Sequence, residues 1–289
     1  MICPLCESPA GQPSWLGETT FRGTRYSYRE CAACGSLFTD PMPDGDALAA
    51  MYTEEYIGAG GAAAPRDPGK MYDEILEVLA AREPGHFVDY GCGAGRLLHE
   101  ARGLGWRVTG VEFGEDAARP GRSAGLPIVT TEEVASVEPA DVLHLGDVVE
   151  HLTAPGPQLR DIMRLVRPGG LLVAQGPLEN ERNLVHGAVR ALRRIHPAAS
   201  SHPPYHVILA TERGQRRLFA RVGLDERGWR MTEVAWPAPQ SLGREHARAP
   251  RAIALFALRR LSCAMGRAVP GPWGNRYLYV GAVPATSDA

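Results

Sequence analysis

The chain has 289 residues, 44% of them hydrophobic, and a formal net charge of −2. That length holds one α/β domain of ordinary size plus a small appendage, and the charge gives no general pull toward nucleic acid or anionic membrane. No stretch approaches the roughly 18 apolar residues of a membrane span and no secretory signal is visible, so a cytoplasmic protein without membrane association is the expectation.

Taken in order, the chain opens on cysteines. Four of the six fall in two knuckles, Cys3-Pro4-Leu5-Cys6 and Cys31-Ala32-Ala33-Cys34, with 24 residues between them. This spacing predicts a zinc ribbon over residues 1–40, with Cys3, Cys6, Cys31 and Cys34 as its four ligands. Four thiolates leave no open coordination position, so the metal is structural. Trp15, Phe21, Tyr26 and Tyr28 can supply strands but not a metal-free core, and bound Zn²⁺ would hold the unit together. A disulfide pair fits a reducing compartment poorly, and a redox CxxC would occur once, beside a βαβ unit. Cys92 and Cys263 stand alone.

Residues 41–84 read as a linker with helices. Asp44 is placed to cap a helix over Asp46–Tyr56. Gly58–Gly69 is a Gly/Ala/Pro-rich connection, and Lys70–Arg82 carries a helical stripe of Met71, Ile75, Leu76, Val78 and Leu79. From residue 85 to 285 the pattern is that of an alternating α/β unit.

The segment Phe87-Val88-Asp89-Tyr90-Gly91-Cys92-Gly93-Ala94-Gly95 is a buried strand running into a glycine loop, and Arg96–Glu100 begins a helix. Glycines let backbone approach a ligand closely. A dinucleotide fingerprint needs G-x-G-x-x-G, but here Gly95 comes one residue early and Arg96 takes the third glycine's place, which argues against a pyrophosphate ligand. A second strand, Trp106–Val111, ends on Glu112. The set Asp89-x-Gly91-x-Gly93-x-Gly95 resembles the first motif of class I S-adenosylmethionine (SAM) dependent methyltransferases. The resemblance implies a doubly wound, Rossmann-like sheet with an antiparallel last strand. It also implies SAM as cofactor, held by Asp89, Gly91, Gly93, Gly95 and Glu112, the acid accepting hydrogen bonds from the ribose hydroxyls.

A helix over Ala117–Ala124 and a strand over Leu126–Val129 follow, then Thr131-Glu132-Glu133, where a polar residue could meet the adenine. The fourth strand, Asp141–Leu145, leads into Gly146-Asp147-Val148-Val149-Glu150-His151-Leu152. The carboxyl ends of central strands face the ligand crevice in such sheets, so this segment lies beside the sulfonium. Its Glu150-His151 pair, with Leu165-Val166-Arg167-Pro168-Gly169-Gly170 as a turn before the fifth strand (Leu171–Gln175), resembles the branch that includes ubiquinone-biosynthesis O-methyltransferases. The ribbon and the tyrosines Tyr52 and Tyr56 resemble a bacterial subgroup that modifies small molecules and sugars.

Methyl transfer to a hydroxyl needs a base, and histidine titrates in the right range. His151 is one candidate, with Glu150 beside it; His206, in His202-Pro203-Pro204-Tyr205-His206, is the other. The alternatives are that Glu150-His151 shapes the turn, His151 bonding a backbone carbonyl, and that His206 is held structurally at a helix start. Asp147 is read as positioning SAM or supporting the turn. A second metal site from His151, His202 and His206 is a further alternative. Residues 178–210 form a lid insertion whose apolar stripe (Leu184, Val185, Ala188, Val189, Leu192, Ile195) packs across the sheet and builds the acceptor pocket. Thr211 caps a helix over Glu212–Val222; a strand over Glu226–Val234, a helix over Ala252–Met265 with Arg259, Arg260 and Arg267 on a solvated face, and a strand over Tyr277–Ala282 complete the chain.

The expectation is SAM-dependent methylation of a small-molecule acceptor, on oxygen, in natural-product or sugar biosynthesis. Two rivals stand beside it. One is an RNA methyltransferase using the ribbon for RNA contact, disfavoured by the ribbon's few basic residues (Arg22, Arg25, Arg29) beside Glu18 and Glu30. The other is a non-catalytic module that docks a carrier protein. The ribbon itself would brace the lid or make a homodimer contact.

Overall fold

The computed structural model describes residues 1–9, 11–51, 71–195, 204–234, 242–243, 249–269, 271 and 273–285. Tyr52, Tyr56, the Gly58–Gly69 connection and His202 lie outside the described residues.

In chain order the elements are β1 (Pro13–Phe21), β2 (Thr24–Glu30), β3 (Leu37–Asp40), α1 (Gly45–Met51), α2 (Tyr72–Ala80), β4 (His86–Tyr90), α3 (Arg96–Gly103), β5 (Arg107–Glu112), α4 (Glu115–Ser123), β6 (Ile128–Thr130), β7 (Ala140–Gly146) and α5 (Pro155–Ile162). They continue with β8 (Val166–Pro177), α6 (Leu184–Ile195), β9 (Ile208–Leu209), α7 (Glu212–Arg221), β10 (Asp225–Thr232), α8 (Pro250–Ala268) and β11 (Arg276–Ala282). The large sheet has seven strands in the order β10-β11-β8-β7-β4-β5-β6. Strands β6, β5, β4, β7 and β8 run parallel, and β11 is antiparallel to both β8 and β10. This is the Rossmann-like sheet with an antiparallel last strand.

Side-chain alternation along the strands sorts two cores onto the two faces. Val142, Leu171 and Val173 point to the face covered by α2, α3 and α4, with Ile75, Leu79, Leu97, Leu98 and Ala118. Leu143, Leu145, Leu172 and Ala174 point to the other, where they meet Leu159 and Ile162 of α5 and Leu218 and Phe219 of α7. The second core continues without a break into the N-terminal unit through Cys3, Leu5, Cys31, Cys34 and Phe38.

That unit is an antiparallel sheet, β1-β2-β3-β9, whose fourth strand arrives far later in the chain. Leu37 pairs with Leu209 and Phe38 with Ile208. The cap on α7 ties the pieces further. Thr211 Oγ1 accepts the Gly214 N–H at 3.1 Å and donates to the Cys34 carbonyl at 2.6 Å, while Arg221 donates to the Leu5 carbonyl at 2.7 Å. Asp44 caps α1 as expected, accepting the Ala47 N–H at 2.8 Å.

The turn expected at Arg167–Gly170 is present within the bounds of β8: Gly169 has φ 75°, and β7 pairs Ala140 with Val166 and Val142 with Leu171, so residues 167–170 bulge out of that ladder. The Gly169 N–H donates to the Val283 carbonyl and the Val283 N–H to the Gly170 carbonyl. One expectation requires correction. Arg259 is not on a solvated face. It is 2% exposed, and its Nη1 lies 2.7 Å from Glu233 Oε1, which is buried as well. Helix α6 leans on α8 and β1. Its Arg190 bridges Glu30 of the ribbon and Glu181, both at 2.9 Å.

Candidate active site

Strands β7, β4 and β5 are neighbours and parallel, so the segments after their carboxyl ends share one edge of the sheet. After β4 comes the glycine loop. Gly91, Gly93 and Gly95 all have positive φ (80°, 53° and 77°). A Cβ at Gly91 or Gly95 would strike Val148 or Leu126, whereas one at Gly93 would meet nothing within 4 Å. The loop therefore packs inward at its ends and presents open backbone at Gly93. Glu112, closing β5, holds that backbone: its Oε2 accepts the Gly93 N–H at 2.7 Å and its Oε1 the Gly114 N–H at 3.0 Å. An open glycine flanked by a carboxylate at the next strand's end fits a ligand with a ribose and an adjacent cationic or polar chain.

Asp89 lies beneath the loop, 4% exposed, and its Oδ1 is 2.7 Å from His144 Nδ1. His144 Nε2 faces Gln175 Nε2 at 3.4 Å, and Gln175 Oε1 accepts the Met71 N–H at 2.7 Å. Read donor to acceptor, the Gln175 amide donates to His144, which donates to Asp89, giving a neutral imidazole protonated at Nδ1. Asp147 has φ 57°, a left-handed conformation rare for a non-glycine residue, and its Oδ1 pairs with Arg276 Nη2 at 2.5 Å. Arg276 opens β11, far along the chain, and no motif in the sequence marks it.

The short 3₁₀ turn Val149–His151 follows β7 and brings Glu150 and His151 against His206. Ligand atoms of these three residues all lie within 4.8 Å of one another. The His151 and His206 rings meet edge to face at 4.9 Å between centroids. His151 Nδ1 lies 2.7 Å from the Tyr205 carbonyl, so this nitrogen carries the proton and Nε2 is left as the basic one. The backbone bond expected as the alternative to catalysis is present. Burial, reinforced by His151 and Arg276 against Asp147, pushes His206 down to about 3. The ribbon supports this segment: Tyr28 Oη donates to the His206 carbonyl at 3.3 Å and the Thr39 N–H to the Val207 carbonyl at 3.0 Å.

The four knuckle cysteines also come together. Cys3 and Cys34 sulfurs are 3.8 Å apart, those of Cys6 and Cys31 3.6 Å, and all four lie within 4.8 Å of one another. Zn–S bonds of about 2.3 Å in a tetrahedron place sulfurs about 3.8 Å apart, so the set fits a zinc ion.

Residues 64–226 match the methyltransferase domain family, and the chain belongs to that family. A ubiquinone biosynthesis O-methyltransferase from Caulobacter sp. (strain K31) is 35% identical over 96 residues, covering 30% of this chain and 38% of the relative. One from Caulobacter vibrioides is 33% identical over 106 residues, covering 32% and 42%. The chain thus spans about two fifths of the length of these curated relatives. Among solved structures, Burkholderia thailandensis 1,6-didemethyltoxoflavin-N1-methyltransferase is similar at 16% identity, with a TM-score of 0.52 over 93% of this chain and 99% of that one. The [4+2]-cyclase SpnF is similar at 15% identity, with a TM-score of 0.53 over 85% and 98%. These likenesses establish the class I SAM-dependent methyltransferase fold.

Proposed function

We propose that this protein transfers the methyl group of SAM to an oxygen of a small-molecule acceptor in natural-product or sugar biosynthesis, with residues 1–40 as a structural zinc ribbon, 41–84 as a connection and 85–285 as the catalytic unit. The observation carrying this reading is the shared sheet edge, where the Gly91–Gly95 loop, Glu112 and the Glu150-His151 turn follow adjacent parallel strands. Bound SAM supplies an electrophilic methyl group whose thioether leaves uncharged and needs no acid. Gly93 and Glu112 would hold its ribose and amino-acid parts, with Asp89 bracing the loop from below and Asp147 held by Arg276. His151 Nε2 takes the proton of the acceptor hydroxyl as the bond to carbon forms. Its Nδ1–H stays on the Tyr205 carbonyl, which steadies the imidazolium. His206, desolvated and neutral, packs against His151 and orients it rather than holding the proton itself, with Glu150 below offering a negative charge to the imidazolium. A four-thiolate ribbon requires reduced cysteines, which favours the cytoplasm.

A second reading of the same cluster follows from its three convergent ligand atoms: a divalent cation there would polarise the acceptor oxygen in place of a base. A rate that rises with added Mn²⁺ at unchanged SAM affinity selects it.

Calorimetric titration with SAM tests the main reading. The natural chain binds SAM, and Glu112→Ala weakens binding about tenfold to a hundredfold, as expected for lost hydrogen bonds to a charged group. No SAM binding by folded, zinc-loaded protein overturns the enzyme assignment; full affinity in the variant overturns the place given to Glu112.

A further inference from the structure

A cavity of about 320 Å³ lies between the ribbon, the lid helix α6, α8 and the Tyr205-His206 segment. Its apolar walls include Trp15 of β1, Tyr28 of β2, Val185 and Val189 of α6, Leu255 of α8 and the ring of Tyr205. Glu179, His186, Arg259 and His206 also line it.

The charges around this cavity do not balance. Arg259 is matched by Glu233 at 2.7 Å. Arg190 is shared between Glu30 and Glu181. Two arginines thus face three carboxylates before Glu179 is counted. Among the described residues the basic group paired with Glu179 is His186, whose Nδ1 is 3.8 Å from Oε1, but that nitrogen accepts the Asn180 N–H at 3.3 Å and burial pushes the ring down to about 4, so it is neutral at ordinary pH. Burial and the nearby Glu181 and Glu30 drive Glu179 up to about 7 against the attraction of Arg190. Among the described residues, Glu179 is therefore a carboxyl in an apolar, net-negative wall with no cation of its own.

We propose that this cavity is the acceptor site, and that the acceptor carries a basic nitrogen which pairs with Glu179, on an apolar body held among Trp15, Tyr28 and Tyr205. The inference rests on the methyl-transfer reading above and names its substrate class. An ammonium group supplies the missing positive charge, and aromatic faces attract it further. An anionic substituent would meet unbalanced carboxylates, and an uncharged one leaves Glu179 protonated and unused. His206 lines the same cavity and touches His151, so the anchoring carboxyl and the base belong to one site. The ribbon is thereby a wall of the acceptor pocket, beyond any bracing role.

The test is calorimetric titration of the full, zinc-loaded chain with three phenols that share a ring and differ in one substituent: tyramine (cation), 4-ethylphenol (neutral) and 3-(4-hydroxyphenyl)propanoate (anion). Tyramine is expected to bind about tenfold or more tighter than 4-ethylphenol, and the anion more weakly than either. At pH 6 tyramine binding should release a proton from Glu179, read as a heat that varies with the ionisation enthalpy of the buffer. Glu179→Gln should remove both the preference and the proton release, with SAM affinity and zinc content showing that the variant is folded. Equal binding of tyramine and 4-ethylphenol, a preference for the anion, no binding of any of the three, or a preference that survives Glu179→Gln overturns the proposal. SAM titration of the same sample separates the two ideas. SAM binding without a tyramine preference overturns the amine class alone. A tyramine preference without SAM binding supports the amine site and overturns the transfer reading.

Discussion

His151 and His206 touch, yet their surroundings give them different tasks. The Tyr205 carbonyl fixes the His151 tautomer and leaves one nitrogen basic, while burial keeps His206 neutral. His151→Ala should therefore lower kcat by about a hundredfold to ten-thousandfold with SAM affinity unchanged, measured by pre-steady-state kinetics beside calorimetry. Stability should follow pH through the same side chains. His206 and His186 have folded values of about 3 and about 4 against an ordinary 6.5, so below pH 6.5 protons bind the unfolded chain and stability falls with acidification. Glu179 works in the opposite sense. Raised to about 7 from an ordinary 4.5, it contributes stability that is present below pH 4.5 and is lost as pH rises through 7. For these three groups the net effect between pH 6.5 and 4.5 is a loss on acidification. His206→Asn should flatten that limb in thermal melts across the range, because His186 and Glu179 then nearly cancel; an unchanged slope counts against the buried neutral imidazole.

At the scale of elements, α8 is anchored by a buried ion pair. Arg259→Ala leaves Glu233 buried without its cation and should cost about 3–5 kcal/mol, whereas Arg259→Leu combined with Glu233→Leu should recover most of that loss in denaturant titrations. This pair also marks where sequence reading stops. The glycine loop and the Thr211 cap were legible because each is written in a few consecutive residues, whereas the α6 stripe was not: Leu192 and Ile195 are exposed and the helix packs on α8 and β1. Arg259 looked like one of several arginines on a helix, since its burial depends on Glu233, which belongs to the stretch after β10. The base candidates His151 and His206 were legible as residue types, but not the Tyr205 carbonyl that holds His151. Nor was the Asp89–His144–Gln175 chain visible, because each member sits on a different strand. Strand β9 is two residues long and carries no periodicity at all.

For the molecule as a whole, the ribbon and the catalytic unit share one core and many hydrogen bonds across α7. Cys31→Ser, or chelation of the metal, should lower the temperature of a single cooperative transition in scanning calorimetry. An early, separate ribbon melt would contradict the shared core. A chain beginning at residue 41 would lose Leu5, Cys31, Cys34 and Phe38 from the shared core, and is expected to aggregate.

The late arrival of β9 has a consequence for how the protein is made. During synthesis the four knuckle cysteines leave the ribosome well before β9 and can capture a metal while the catalytic residues are still untranslated. The ribbon sheet nevertheless keeps β3 as an open edge until Ile208 and Leu209 emerge. The small sheet therefore stays unfinished while the intervening chain is made, and its open β3 edge is where chaperone protection would matter most.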